Sequence, residues 1–151
     1  MFNKRFLLTA FSIGSFVFLL SSCIKEKDVN DEIITQPQSI AKFATNITGS
    51  SYTISNPAAP LKIPVGYSTV SDKDRTIQLS YTSPSGAAQG VQYNAPASIN
   101  IPAGKLIDTL QVQGLYDGFP NTTKRDTVFI KIVSSDSAAY NNQYRVIMRK
   151  G

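Results

Sequence analysis

Few side chains in this sequence could do chemistry, and their types narrow it at once. The 151 residues include no histidine and a single cysteine, Cys23. The commonest general base near neutral pH and the commonest zinc ligand are therefore missing. Ser-His-Asp and Cys-His nucleophile systems are excluded with them. Carboxylates remain. Asp72 with Asp74, or Asp117 with Asp126, are the pairs that could run hydrolysis, but no spacing forces either pair into a cleft. Acids are also sparse, ten Asp and Glu against fifteen Lys and Arg. The expectation is a protein that is not an enzyme. Aromatic side chains offer a second kind of site, because an aromatic face can stack on a sugar ring. Tyr116 and Phe119 flank Asp117, while Tyr140 and Tyr144 lie near Asn141-Asn142. These four are the candidate ligand contacts. The competing reading packs Tyr116 and Phe119 beneath their own loop. Absence of tryptophan weakens a carbohydrate platform.

The single cysteine has a telling neighbourhood. Lys4 and Arg5 form a short basic head, and an apolar run from Phe6 to Leu20 follows, broken by Thr9, Ser12, Gly14 and Ser15. Ser21 and Ser22 then precede Cys23. Basic head, greasy middle and small residues at the cut make a secretory signal. The run is about fifteen residues, short of the roughly 20 that a spanning helix needs. With cysteine at the cut, the segment resembles the lipobox of bacterial lipoproteins. That resemblance implies a leader over residues 1–22, cleavage before Cys23, and a diacylglycerol on its thiol. The chain would then meet the membrane through a lipid anchor with palmitate-like acyl chains.

Residues 23–38 read as the acylated cysteine and a charged tether that ends near Pro37. Lys25-Glu26-Lys27-Asp28 resembles the short signal that sends Bacteroidota lipoproteins to the cell surface. A lysine separates the two acids here, where the signal favours adjacent ones. The implied location is the outer membrane at the cell surface, with its periplasmic face as the alternative. Loss of the leader removes Lys4 and Arg5 from a chain of formal charge +5, so the mature protein is mildly basic. Its cations do not interleave with aromatics in a run, which argues against a nucleic-acid partner.

Residues 39–151 must position any site, and their pattern is β. Thr76–Thr82 alternates apolar and polar, as do Ser98–Ile101 and, mostly, Leu106–Gln113. Thr127–Val133 is rich in β-branched and aromatic residues, and Gln143–Arg149 closes the chain. Ala41–Asn46, Ser51–Ile54 and Leu61–Tyr67 are the earlier strand candidates. Turn signals separate them, among them Asn56-Pro57, Pro84-Ser85-Gly86 and Pro102-Ala103-Gly104. About seven or eight short strands without a helical run predict an antiparallel β-sandwich. Period two puts Ile77, Leu79 and Tyr81 on one inward face, with Ile99, Ile101, Val128, Ile130 and Ile132 on others.

The order of landmarks is similar to the Calx-beta module. Thr76–Ser83 runs into Gly90 and Tyr93; Ile99–Gly104 supplies an apolar strand capped by Pro-x-Gly; Thr109–Gln113, Asp117 and Asp126–Ile132 follow. The similarity implies an Ig-like, Calx-beta-like sandwich, of the kind carried by Bacteroidota surface lipoproteins that often accompany glycan-uptake systems. Calx-beta modules of the exchanger type bind calcium through loop carboxylates. The matching positions are Asp117 and Asp126, with Asp72 or Asp74 approaching from a neighbouring loop. Lys124 and Arg125 beside Asp126 would oppose a divalent ion, so the expectation is no cofactor. The functional expectation is a non-catalytic surface lipoprotein that binds or scaffolds a glycan or an outer-membrane protein. A calcium-binding adhesion module and a carboxylate-dependent hydrolase are the alternatives.

Mass spectrometry of the chain isolated from its native membrane is expected to find residues 1–22 removed and Cys23 acylated. An intact leader or an unmodified thiol would contradict this reading.

Overall fold

Alternation of inward and outward side chains organises the long strands. The structure, a computed structural model, describes residues 39–133 and 141–151. In chain order the strands are β1 (Ala41–Phe43), β2 (Gly49–Ile54), β3 (Leu61–Tyr67), β4 (Arg75–Thr82), β5 (Tyr93–Asn94), β6 (Ser98–Ile101), β7 (Ile107–Gly114), β8 (Arg125–Ile132) and β9 (Gln143–Lys150). One sheet has the order β1-β3-β7-β5, the other β2-β9-β8-β4-β6. The two stack as a sandwich. Among the described residues nine strands form where periodicity predicts seven or eight, because the two-residue β5 is too short to show a period.

The chain changes sheets between β1 and β2. β1 lies antiparallel to β3, whereas β2 joins the far sheet beside β9 and runs parallel to it, Tyr52 opposite Met148. The other strand pairs are antiparallel. β1 ends at Phe43, short of the expected Asn46. Thr45 Oγ1 there accepts the Ile47 N–H at 3.2 Å. A local side-chain bond of this type competes with a strand ladder.

The core follows from parity. Ile77, Leu79, Ile99, Ile101, Val128, Ile130 and Ile132 are all buried, as the alternation requires. Each such side chain contributes roughly 1.5–3 kcal/mol on burial. Tyr81 is only half-buried; its hydroxyl donates to the Pro96 carbonyl at 2.6 Å. Its ring lies 5.9 Å from that of buried Tyr93. Burial pushes the pKa of both phenols upward, and the proximity of Tyr93 adds to the shift at Tyr81.

One phenol ties the sheets together. Tyr52 on β2 donates to the Ala59 carbonyl at 2.5 Å and accepts the Gly114 N–H at 3.1 Å. Gly114 belongs to β7 in the opposite sheet. A side chain there would strike its neighbours, with Ile54 Cγ1 only 2.4 Å from the first added carbon. Tyr52 thus links the two sheets through its hydroxyl.

Leu79 faces Ile132 across the β4–β8 pair and is 8% exposed. Leu79→Asp would bury an unpaired carboxylate, which costs several kcal/mol against a domain stability of roughly 5–15 kcal/mol. Gln78→Asp, one residue earlier on the opposite face, is expected to shift stability by no more than about 0.5 kcal/mol. Circular-dichroism melts should therefore show one unfolded variant and one native-like variant. The opposite ranking would mean that the parity of β4 is reversed.

Candidate binding surface

The loop after β7 carries three of the expected site residues. Tyr116–Gly118 forms a single 3-10 turn, and Phe119 returns its N–H to the Tyr116 carbonyl at 3.3 Å. Gly118 presses against the backbone of the preceding turn: an added carbon would lie 1.9 Å from the Val91 carbonyl oxygen. Buried Gln92 fastens the two turns, accepting the Ala88 N–H at 2.8 Å and donating to the Gly118 carbonyl at 3.1 Å. This arrangement drives Phe119 inside, where it is 1% exposed.

The three described aromatic candidates therefore do not form a surface. Phe119 is core. Tyr144 is also core, 3% exposed, with its ring 5.5 Å from that of Phe43. Tyr116 is half-buried, and its ring already carries the Lys150 ammonium 4.0 Å from the centroid. The same ammonium donates to the Phe119 carbonyl at 3.2 Å. A sugar would have to displace that cation to stack there. Tyr140 lies outside the described residues, as does Cys23.

The carboxylates are equally dispersed. Asp126 opens β8 with the parity of Val128 and Ile130 and is 1% exposed. Its partner is the Lys124 ammonium at 3.4 Å, and neither oxygen receives a hydrogen bond. A buried charge needs such a partner to persist. Asp117 is exposed on its turn. Asp74 accepts the Ala103 N–H at 2.8 Å and the Asn100 amide at 3.3 Å. Those two bonds hold its pKa below the usual carboxylate value. Asp72 is exposed in the same turn region. Among the described residues, no three acidic, cysteine or histidine side chains come together.

A different surface emerges on the outer face of the five-stranded sheet. The odd-numbered residues of β8 and β9 all point outward there. Antiparallel pairing sets Arg125 opposite Arg149, Thr127 opposite Ile147, Phe129 opposite Arg145, and Lys131 opposite Gln143. Gly49, Ser51 and Thr53 of β2 lie alongside Arg145, Ile147 and Arg149. A groove of about 350 Å³ is lined by Thr48, Phe129, Gln143 and Arg145. Gly49 brings its backbone close: an added carbon would come 2.6 Å from the Arg145 carbonyl oxygen. The alternation of the two strands marks Arg145, Arg149 and Lys131 as outward. Only the pairing of β8 with β9 gathers them into one patch. A second groove, about 340 Å³, runs beside β1 and includes Lys42, Thr45, Leu106 and Ile107.

No protein-family model matches the chain, and no curated protein matches it either. Solved structures do. The apo form of the Calx CBD1 domain superposes with a TM-score of 0.55 at 10% identity, over 74% of this chain and 96% of that one. A two-domain protein of unknown function from Bacteroides fragilis NCTC 9343 gives 0.56 at 12% identity, over 83% of this chain and 50% of that one. A proposed carbohydrate-binding protein from Bacteroides ovatus ATCC 8483 gives 0.52 at 12% identity, over 73% and 36%. This chain thus spans half or less of the two Bacteroides proteins. What the likenesses share is the fold: a Calx-beta-like, Ig-like β-sandwich.

Proposed function

We propose that this chain is a non-catalytic lipoprotein module of the outer membrane, displayed at the cell surface, that binds a glycan for uptake or holds a partner protein. The observation that carries the reading is the broad polar outer face that the described strands of the five-stranded sheet present. A sheet face with charged and hydroxyl-bearing side chains along several strands suits an extended ligand better than a small substrate held in a cleft. The likeness in fold to a proposed carbohydrate-binding protein supports it, as does the signal-like pattern of residues 1–22 just before Cys23. Calcium plays no part in this reading. Asp126 is turned inward and neutralised by Lys124, whereas calcium wants 6–8 oxygen ligands, several of them carboxylates.

Protease treatment of intact cells, followed by capture of crosslinked neighbours, tests location and partner class together. The domain is expected to be removed from unbroken cells. Retention of the full chain on a polysaccharide matrix should be equal in calcium and in EDTA. Protection until the cells are lysed would assign the periplasmic face. Strict calcium dependence would restore the adhesion reading. Hydrolysis of the matrix, abolished by Asp117→Asn, would make the protein an enzyme.

A further inference from the structure

We infer that the outer face of β8, β9 and β2 recognises an acidic polysaccharide, one carrying uronate or sulfate groups, with Arg125, Lys131, Arg145 and Arg149 as its anion contacts and Phe129 as its stacking floor. The inference rests on the binding-module reading and names the ligand class for it.

Charge is the first support. Four exposed cations occupy the outward positions of β8 and β9. Among the described residues no carboxylate shares the face: the outward residues of β2, β4 and β6 are Gly, Ser, Thr, Gln and Asn. All five described acids lie elsewhere. Asp72 and Asp74 sit between β3 and β4, Asp108 on β7, Asp117 on its turn and Asp126 inside. The one ion pair among the described residues, Lys124 with Asp126, uses none of these four cations.

The pairing of like charges is the second. Arg125 stands directly opposite Arg149 in the β8–β9 ladder. Like charges at directly opposed positions repel and weaken a sheet. An anion bridging the two guanidinium groups would reverse the sign of that interaction. Arg149 is already oriented toward the face, since its Nε donates to Thr53 Oγ1 at 3.0 Å. Guanidinium forks also match carboxylate and sulfate oxygens well.

Spacing and texture select a polysaccharide over a small anion or a membrane. Arg145 and Arg149 are four residues apart on β9, about 13 Å at strand rise. That separation suits repeated charges along a polymer, each contact weak alone and additive in series. Phe129 is half-buried opposite Arg145, and the two line the same groove with Thr48 and Gln143. Ser51, Thr53 and Gln143 supply hydroxyl and amide partners for sugar oxygens. A membrane surface would call for protruding apolar side chains. The large apolar residues at outward strand positions of this face, Phe129 and Ile147, are both half-buried, and Val133, just past the end of β8, is the exposed one.

Affinity electrophoresis of the full chain through gels containing polygalacturonate, chondroitin sulfate or neutral dextran tests the inference. The acidic polymers should retard the chain, less so as salt rises. Arg145→Gln with Arg149→Gln should weaken binding at least tenfold without changing the melting temperature. Lys42→Gln with Lys62→Gln removes the same charge from the other sheet and should leave binding unchanged. NMR shift mapping of the unsubstituted chain with galacturonate oligomers should place the largest changes on the odd-numbered residues of β8 and β9. Equal loss in the two double variants would reduce the effect to net charge and overturn the inference. So would tighter binding to phosphatidylglycerol vesicles than to polygalacturonate. Retention by dextran alone would overturn it too, while leaving the binding-module reading intact.

Discussion

Parity in β8 and β9 is the constraint on which the rest of the molecule depends. Both strands lie in the middle of the five-stranded sheet, so both of their edges are paired. Their even-numbered residues, including Val128, Ile130, Val146 and Met148, point into the sandwich and are almost wholly buried. Their odd-numbered residues, including Arg125, Lys131, Arg145 and Arg149, face outward. A slip of one residue would put arginines in the core and isoleucine in water. The apolar set therefore holds the register, and the register lays out the cationic face. Core and candidate site are two sides of one pattern.

Polar contacts finish what burial starts. A sandwich without disulfides has to close its ends by other means, and this chain has a single cysteine. Tyr52 reaches from one sheet to the backbone of Gly114 in the other. Gln92 binds two turns at once and so buries Phe119 beneath them. Asp126 and Lys124 form a pair at the mouth of the core, where the carboxylate would otherwise be uncompensated. Each contact sits at an end of the sandwich, away from the outer sheet face. On that face, the bond from Arg149 to Thr53 joins β9 to β2 across the sheet.

Much of the fold was readable from alternation and turn residues. Leu61–Tyr67 was located to the residue, and β4, β8 and β9 within one or two. The inward set on β4, β6 and β8 followed from period two, with Tyr81 alone only partly buried. Gly90 and Gly104 take the positive φ angles of 81° and 77° that glycine favours. Other features had no local signal. β2 runs parallel to β9 because of where the chain crosses between sheets, and no short motif reports that. Phe119 is buried from a turn, where no period exists to reveal it. Tyr144 is a different case, since it shares parity with Val146 and Met148 and its own strand buries it. The cationic face escaped notice because it is assembled across strands. Arg125 and Arg149 are far apart in sequence and adjacent only through the β8–β9 register.

A thiol-accessibility scan along β9 tests this account most directly. With Cys23 replaced by serine, single cysteines would be placed in turn from Gln143 to Arg149 and their maleimide labelling rates measured. The account predicts rates that alternate with period two, slow at positions 144, 146 and 148 and fast at 143, 145 and 149. Rates without alternation, or in the opposite phase, would contradict it, since no face of the sheet would then gather the four cations.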